Sequence, residues 1–240
     1  MRFRLDLILC ALLAVPALAR AQAASAPVAE PVRQLVVYLP PYYAAGDTFA
    51  AAPKVAVDPA YDKLLASTSA ADIRKVRDAI AAQPDLVKPE TMMVLAIRLY
   101  DTGQRDDAVF WYYAARDRFL TMDAVLDMRS LQLLKVVEVV ESFIHAIAPA
   151  MDGYALCDPA RHQEREDRAI AWVAAHPYKL LGYSDLPAQS DDRNAALVDA
   201  VNKLREASAH NRELLAQPEM LAKLADVRKQ SQADTRFCWK

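Results

Sequence analysis

The chain has 240 residues, of which 54% are hydrophobic and only four are glycine, and its formal net charge at pH 7 is −2. That length suits one sizeable domain, and the abundance of alanine, leucine and valine favours helices over sheet. The scarcity of glycine argues against loops that cradle dinucleotides or phosphates, and the lack of a basic excess argues against nucleic-acid partners. We therefore expect an all-α protein that binds neither nucleic acid nor a cofactor.

Residues 1–21 have the pattern of a secretory signal peptide. Two arginines precede the apolar run 7–19, and small residues then allow cleavage after Ala21 or Ala23. The apolar run is too short for a comfortable membrane span. We expect a periplasmic or secreted protein without stable membrane insertion after cleavage, and a retained signal anchor is the alternative.

Residues 22–56 are predicted to form an extended N-terminal arm and linker. From Arg33 to Tyr43 the sequence is β-branched and aromatic but is interrupted by two consecutive prolines, so it can form a short edge strand at most. Two interpretations stay open for its tyrosines: they cover the domain's own core, or they form an aromatic surface for a partner. The tyrosines concerned are Tyr38, Tyr42 and Tyr43.

Residues 57–240 are predicted to form a single helical domain of seven or eight helices. A short helix opens at Asp58 and Pro59, and Ser69 caps a second helix that runs to Ala82.

The segment 90–119 carries the clearest pattern of the chain, that of an antiparallel helical hairpin. Large and small apolar residues recur at helical spacing on both sides of Gly103, which is the only break. The residues that carry the pattern are Met92, Leu95, Ala96, Leu99, Ala108, Trp111, Tyr112, Ala115 and Phe119.

At these positions the hairpin resembles a single tetratricopeptide or Sel1-like repeat. The matching residues are Met92, Leu95, Ala96, Leu99, Gly103, Ala108, Tyr112 and Ala115, and the run from Trp111 to Ala115 is closer to the Sel1-like version. One copy is found, so we expect the hairpin to sit inside a larger helical domain. The resemblance implies a scaffold for binding another protein, as in exported adaptors and in immunity proteins that neutralise secreted effectors.

Four consecutive aromatic residues occur in the second half of the hairpin, and a helix cannot bury all of them on one face. We expect Trp111 and Tyr112 to point into the hairpin. Phe110 or Tyr113 is then left to meet another element or a partner.

The remaining chain is predicted to hold four helices. The segment Met122 to Ala148 is apolar over most of its circumference, as expected of a helix in a domain interior, and Pro149 and Gly153 are expected to end it. The helices that follow are expected at 158–175, 190–216 and from Pro218 onward.

Cys157 and Cys238 are the two cysteines that follow the predicted signal peptide. An even pair in an exported chain is most simply a disulfide, and this one would tie the C-terminus to the middle of the fold. A metal-binding or catalytic thiol is the alternative, although no CxxC motif accompanies it.

The sequence offers few candidates for catalysis. None of the histidines falls in a metal-binding spacing such as HExxH, and the pairs Glu141–His145 and His162–Glu166 are predicted to be surface pairs one helical turn apart. Glu138 and Glu141 are the best carboxylates for a cell-wall-active enzyme of the lytic transglycosylase or glycosidase type. Such an enzyme needs two carboxyl groups in different environments across a cleft.

We therefore expect a non-enzymatic, periplasmic, protein-binding helical protein that acts as an adaptor or as an immunity or inhibitor protein. Its partner would be a secreted effector or an envelope component, and no catalytic or metal site is expected. The alternatives are the cell-wall enzyme and a subunit of an envelope assembly or secretion complex. The predicted contact residues are Tyr38, Tyr42, Tyr43, Phe110 and Tyr113.

Overall fold

The computed structural model describes residues 29–48 and 50–239, and the described part of the chain contains nine α-helices, one 3₁₀ turn and three two-residue strands. The prediction of an all-α fold is confirmed. The helix count exceeds the predicted seven or eight because a short helix follows the last predicted one. The predicted signal peptide lies outside the described residues.

The helices are α1 Asp62–Leu65, α2 Ala70–Ala82, α3 Pro89–Asp101, α4 Arg105–Val125, α5 Leu134–Ala155, α6 Pro159–Ala175, α7 Arg193–Leu215, α8 Pro218–Gln230 and α9 Ala233–Phe237. The 3₁₀ turn is Lys179–Gly182. The strands β1 Tyr38–Leu39, β2 Tyr43–Ala44 and β3 Lys54–Val55 form one antiparallel sheet in the order β1-β2-β3.

The hairpin of α3 and α4 is the centre of the core. Gly103 turns the chain with a φ of 81°, a left-handed conformation that glycine adopts without a steric cost. All the apolar residues of the predicted hairpin pattern are buried, and α3 is buried on every side from Thr91 to Tyr100. The helices α1 and α2 pack on α3, α5 packs on both hairpin helices, and α6 and α7 pack on α4.

The predicted helix 122–148 is wrong at both ends. The helix α4 continues to Val125, where the chain turns away because Gln189 N–H donates to the Val125 carbonyl and Asp127 N–H donates to Pro187. The next helix, α5, begins nine residues later at Leu134 and continues through Pro149, the predicted stop. The spacing of apolar residues continues from α4 into α5 without interruption. It could not predict this break, because backbone contacts with a segment distant in sequence impose it.

Gly153 does not end α5 either. Its lack of a side chain makes room for the ring of Phe237. A Cβ atom at this position would lie 2.4 Å from a ring carbon of Phe237. The missing side chain therefore lets α9 pack closely on α5.

Aspartate side chains cap the starts of α6 and α7. Asp158 caps α6 as predicted, its carboxylate accepting from Arg161 N–H at 3.2 Å. The predicted Ser190 cap is wrong, because Asp192 accepts from Ala195 N–H at 2.9 Å and α7 begins only at Arg193.

The described chain contains the predicted disulfide between Cys157 and Cys238, 81 residues apart in sequence. It joins the end of α5 to the residue that follows α9. None of the helices described here is long and apolar enough to cross a bilayer.

Candidate functional site

The arm, residues 29–45, is extended up to Leu39 and then turns back into β2, and its side chains alternate between buried and exposed from Leu35 to Tyr38. Leu35 and Val37 are buried in the core, whereas Val36 is 88% exposed and Tyr38 is 75% exposed. A period of two is that of an extended strand with one face on the protein and one in solvent. The arm thus presents two large apolar side chains that the fold itself does not use.

One edge of β1 is open. The strand pairs with β2 on its other edge, where the Val37 carbonyl accepts from Ala45 N–H at 2.9 Å. Successive residues of an antiparallel strand direct their backbone groups to opposite edges, so the N–H and C=O groups of Val36 and Tyr38 point away from β2. Within the described residues no hydrogen bond reaches these groups.

A buried ion pair fixes the arm to the central hairpin. Leu35 N–H donates to Asp101 Oδ1 at 2.8 Å, and Arg98 donates to Asp101 Oδ2 at 2.6 Å. Arg98 also donates to the carbonyls of Leu65 and Ser67. Burial raises the pKa of Asp101 to about 6, although the Leu35 amide and Arg98 both act in the opposite direction.

The three tyrosines of the arm differ in position. Tyr38 is exposed, Tyr42 is half-buried against the core, and Tyr43 is fully buried, where burial raises the pKa of its phenol to about 12. The prediction of Tyr43 as a contact residue is wrong, because β2 turns this side chain toward the helices. The contact predictions for Tyr38 and Tyr42 stay predictions.

The aromatic run of α4 is corrected in the same way. Tyr113 is buried and cannot meet a partner from the surface. Phe110 is half-buried and stacks edge to face with Trp111 and Trp172, at centroid distances of 5.3 and 6.4 Å, while the Arg168 guanidinium lies over its ring. Phe110 thus meets another element of the fold, which was the first of its two predicted roles.

Sequence reasoning missed two exposed leucines beside the arm. Leu131, at 91% exposure, lies in the loop before α5, and Leu134, at 47%, begins α5, against which β1 packs. The hydrogen bond with Glu138 is the main cause that raises the pKa of Lys135 in the first turn of α5. We call Val36, Tyr38, Leu131 and Leu134 the arm surface.

The carboxylates proposed for a cell-wall enzyme are both exposed on α5. Glu138 pairs with Lys135 at 3.0 Å on the helix surface, and Glu141 lies one turn further along. His145 is also exposed. The arrangement has the character of a solvated helix face.

A buried polar cluster joins α4, α5 and α6. The Tyr113 hydroxyl donates to Asp152 Oδ1 at 3.1 Å and lies 3.4 Å from His162 Nδ1. Arg116 contacts Asp117 at 3.0 Å and Glu166 at 3.5 Å. The polar cluster comprises Tyr113, Arg116, Asp117, Asp152, His162 and Glu166.

The pair His162–Glu166 is therefore internal, and its prediction as a surface pair is wrong. The physical reason is that α7 covers this side of α6, where Ser208 donates to Glu166 at 3.3 Å and to Asp167 at 2.9 Å. A polar stretch of sequence does not show whether its side chains face solvent or the polar surface of another helix.

Burial controls the charge states in the polar cluster. It raises the pKa of the Asp117 and Asp152 carboxyls and lowers that of the His162 imidazole, because desolvation disfavours each charged form. The connected Asp152, Tyr113 and His162 groups can hold a proton between helices. In the fold they join α4, α5 and α6 through satisfied polar contacts.

Two surface cavities lie away from the polar cluster. One, of about 480 Å³, is lined by residues that include Tyr178, Leu181 and Arg193. The other, of about 430 Å³, is lined by residues that include Leu131 and Leu186. Among the residues described, no three His, Cys, Asp or Glu side chains are grouped so as to hold a metal ion.

Comparison with known proteins shows one clear similarity. The chain is 30% identical over 210 residues to a Haemophilus influenzae protein described only as uncharacterised, and the alignment covers 88% of this chain and 81% of that protein. No family model matches the chain, and no solved structure matches it.

Proposed function

Because the chain belongs to the same family as the uncharacterised Haemophilus influenzae protein, whose description offers no activity to transfer, we propose a function from the geometry of the chain itself. It is a non-enzymatic protein that binds another protein through the arm surface. The observation that carries this proposal is the open edge of β1, flanked by the exposed side chains of Val36 and Tyr38.

Open strand edges recruit other chains unless something protects them. Proteins commonly protect an edge with charged side chains, short strands or prolines. Residues 34–46 carry no charge at all, and two prolines end the edge directly after β1. The unprotected part is short, and it offers a partner both backbone hydrogen bonds and apolar contact.

The apolar contact extends beyond the strand. Leu131 and Leu134 are further exposed apolar side chains, and a cavity of about 430 Å³ adjoins Leu131. Tyrosine is well suited to a protein interface because its ring buries a large area while its hydroxyl stays hydrated.

The central hairpin supports this surface. Its resemblance to a tetratricopeptide or Sel1-like unit favours a scaffold, and the burial of its apolar faces favours contact with a partner through other elements. Within that proposal the protein is an exported, periplasmic or secreted adaptor, or an immunity or inhibitor protein against a secreted effector. A disulfide suits an oxidising compartment. The cell-wall-enzyme alternative has less support, because it required Glu138 or Glu141 in a cleft and both are exposed.

Site-specific photocrosslinking in the producing cell tests the proposal. A benzophenone amino acid replaces Tyr38 in one variant and Lys203, an exposed residue of α7, in a control variant. We expect one discrete protein adduct from position 38 and none from position 203, and Val36→Asp should abolish it. Identical adduct patterns from the two positions, or no adduct from position 38, would refute binding through the arm surface.

A further inference from the structure

The beginning of the arm is held by the C-terminal tail, residues 231–239. Ala29 N–H donates to the Gln232 side chain at 2.6 Å, and Val32 N–H donates to the Arg236 carbonyl at 2.8 Å. The Arg33 guanidinium lies 4.6 Å from the ring centre of Trp239. Each of these contacts joins the segment 29–33 to the tail.

The tail is attached to the helical domain by the buried Phe237 side chain, by Arg105 and by the disulfide. The preceding helix α8 has no buried side chain, and α9 buries only Ala233 and Phe237. Arg105 donates to the Phe237 carbonyl at 2.9 Å and lies 3.9 Å from the ring centre of Trp239. The covalent bond from Cys238 to Cys157 is the attachment of the tail that a reductant can open.

A guanidinium group stands beside this bond. Arg228 donates to the Gly153 carbonyl at 3.2 Å and to Asp234 at 2.7 Å. Its Nη2 lies 3.0 Å from Cys238 Sγ and 3.6 Å from Cys157 Sγ, whereas the Asp234 carboxylate, which opposes a thiolate, lies 3.6 Å from Cys238 Sγ. A positive charge at this distance stabilises a thiolate, and a thiol with a lowered pKa is the better leaving group in disulfide exchange.

We infer that the Cys157–Cys238 disulfide is a redox-sensitive latch on the arm, opened by a dithiol reductant. One thiolate of the dithiol attacks Cys157 Sγ, the S–S bond breaks, and Cys238 leaves as a thiolate beside Arg228. The second thiol of the dithiol then displaces Cys157, which yields two cysteine thiols and an oxidised dithiol. Two electrons pass from the dithiol to the protein disulfide.

Opening the latch frees the tail and, with it, residues 29–31. The Val32 carbonyl and the Leu35 amide stay bound to α3 independently of the tail, because the Tyr100 hydroxyl donates to Val32 at 2.9 Å and Asp101 accepts from Leu35. The inference does not depend on a partner for the arm surface, since its readout is the protection of the arm's own amides.

Hydrogen–deuterium exchange on the full chain tests the latch. We expect dithiothreitol to accelerate exchange of the Ala29 and Val32 amides, which donate to the tail, at least about tenfold through local opening, while α3 stays protected. The double variant Cys157→Ser/Cys238→Ser should show the same pattern without reductant. Unchanged exchange of these two amides after both thiols are freed would overturn the inference. Loss of protection in α3 would also overturn it, since the bond would then support the whole fold.

The assignment of Arg228 has its own test. In the reduced chain, alkylation of Cys238 as a function of pH gives the pKa of its thiol. We expect wild type and Lys229→Gln, an exposed neighbour on α8, to share a midpoint below the ordinary value of about 8.5, and Arg228→Gln to return toward it. Coincident midpoints for all three proteins would overturn the role of Arg228.

Discussion

Asp101 links the arm to the core through a buried carboxylate, and this burial makes its contribution to stability depend on pH. Its pKa is raised from 3.8 to about 6 in the folded state, so folding is accompanied by proton uptake between these values. Protonation of Asp101 therefore adds to the free energy of unfolding. This contribution is fully present below pH 3.8 and is lost as the pH rises through about 6.

Asp101→Asn removes this titration. Between pH 7 and pH 3.5 we expect the free energy of unfolding of wild type to shift, relative to Asp101→Asn, by up to about 3 kcal/mol in favour of wild type. Urea unfolding at both pH values measures the shift, with Asp226→Asn on exposed α8 as the control. A shift in favour of the variant would show that the attraction of Arg98 outweighs burial.

Individual residues were the hardest part of the site to predict. Tyr38 and Tyr43 stand in the same aromatic run, yet strand geometry exposes one and buries the other. His162 and Glu166 lie in a highly polar stretch, yet α7 covers them. In both cases residues distant in sequence cover these side chains, so the local composition could not predict their burial.

At the scale of elements, periodicity predicted which segments are helical better than it predicted where they end. The α3–α4 hairpin followed from apolar spacing and one glycine because its contacts are local. The boundary between α4 and α5 did not, because the loop 187–189 captures the backbone around Val125 and Asp127. That missed boundary also hid Leu131 and Leu134, two residues of the arm surface.

The contact between α5 and α9 depends on a missing side chain. Because a Cβ atom on Gly153 would lie 2.4 Å from the Phe237 ring, Gly153→Ala must displace that ring. We expect a loss of about 1–3 kcal/mol in the free energy of unfolding, as for other overpacked contacts. The control is Gly182→Ala, since nothing lies within 4 Å of the Cβ position there. Equal stabilities of the two variants in urea unfolding would contradict this account.

At the scale of the whole molecule, both ends of the described chain meet on one side of the helical domain. Residues 29–33 bind the tail, and the tail is bonded to the end of α5. The spacing of apolar residues cannot predict a contact between N- and C-terminal segments. The cysteine pair predicted only that the tail is attached to the end of α5. The arrangement makes the position of the arm sensitive to the oxidation state of a bond that forms in oxidising compartments.

A disulfide forms and persists in an oxidising compartment, which export would provide. We expect the protein in the osmotic-shock fraction to begin after Ala21 or Ala23 and to contain the Cys157–Cys238 bond, as read by mass spectrometry of the intact chain with and without reductant. Leu12→Arg interrupts the apolar run, so this variant should stay full-length in the cytoplasm with both cysteines reduced. A full-length wild-type chain held in the membrane fraction would instead establish a retained signal anchor.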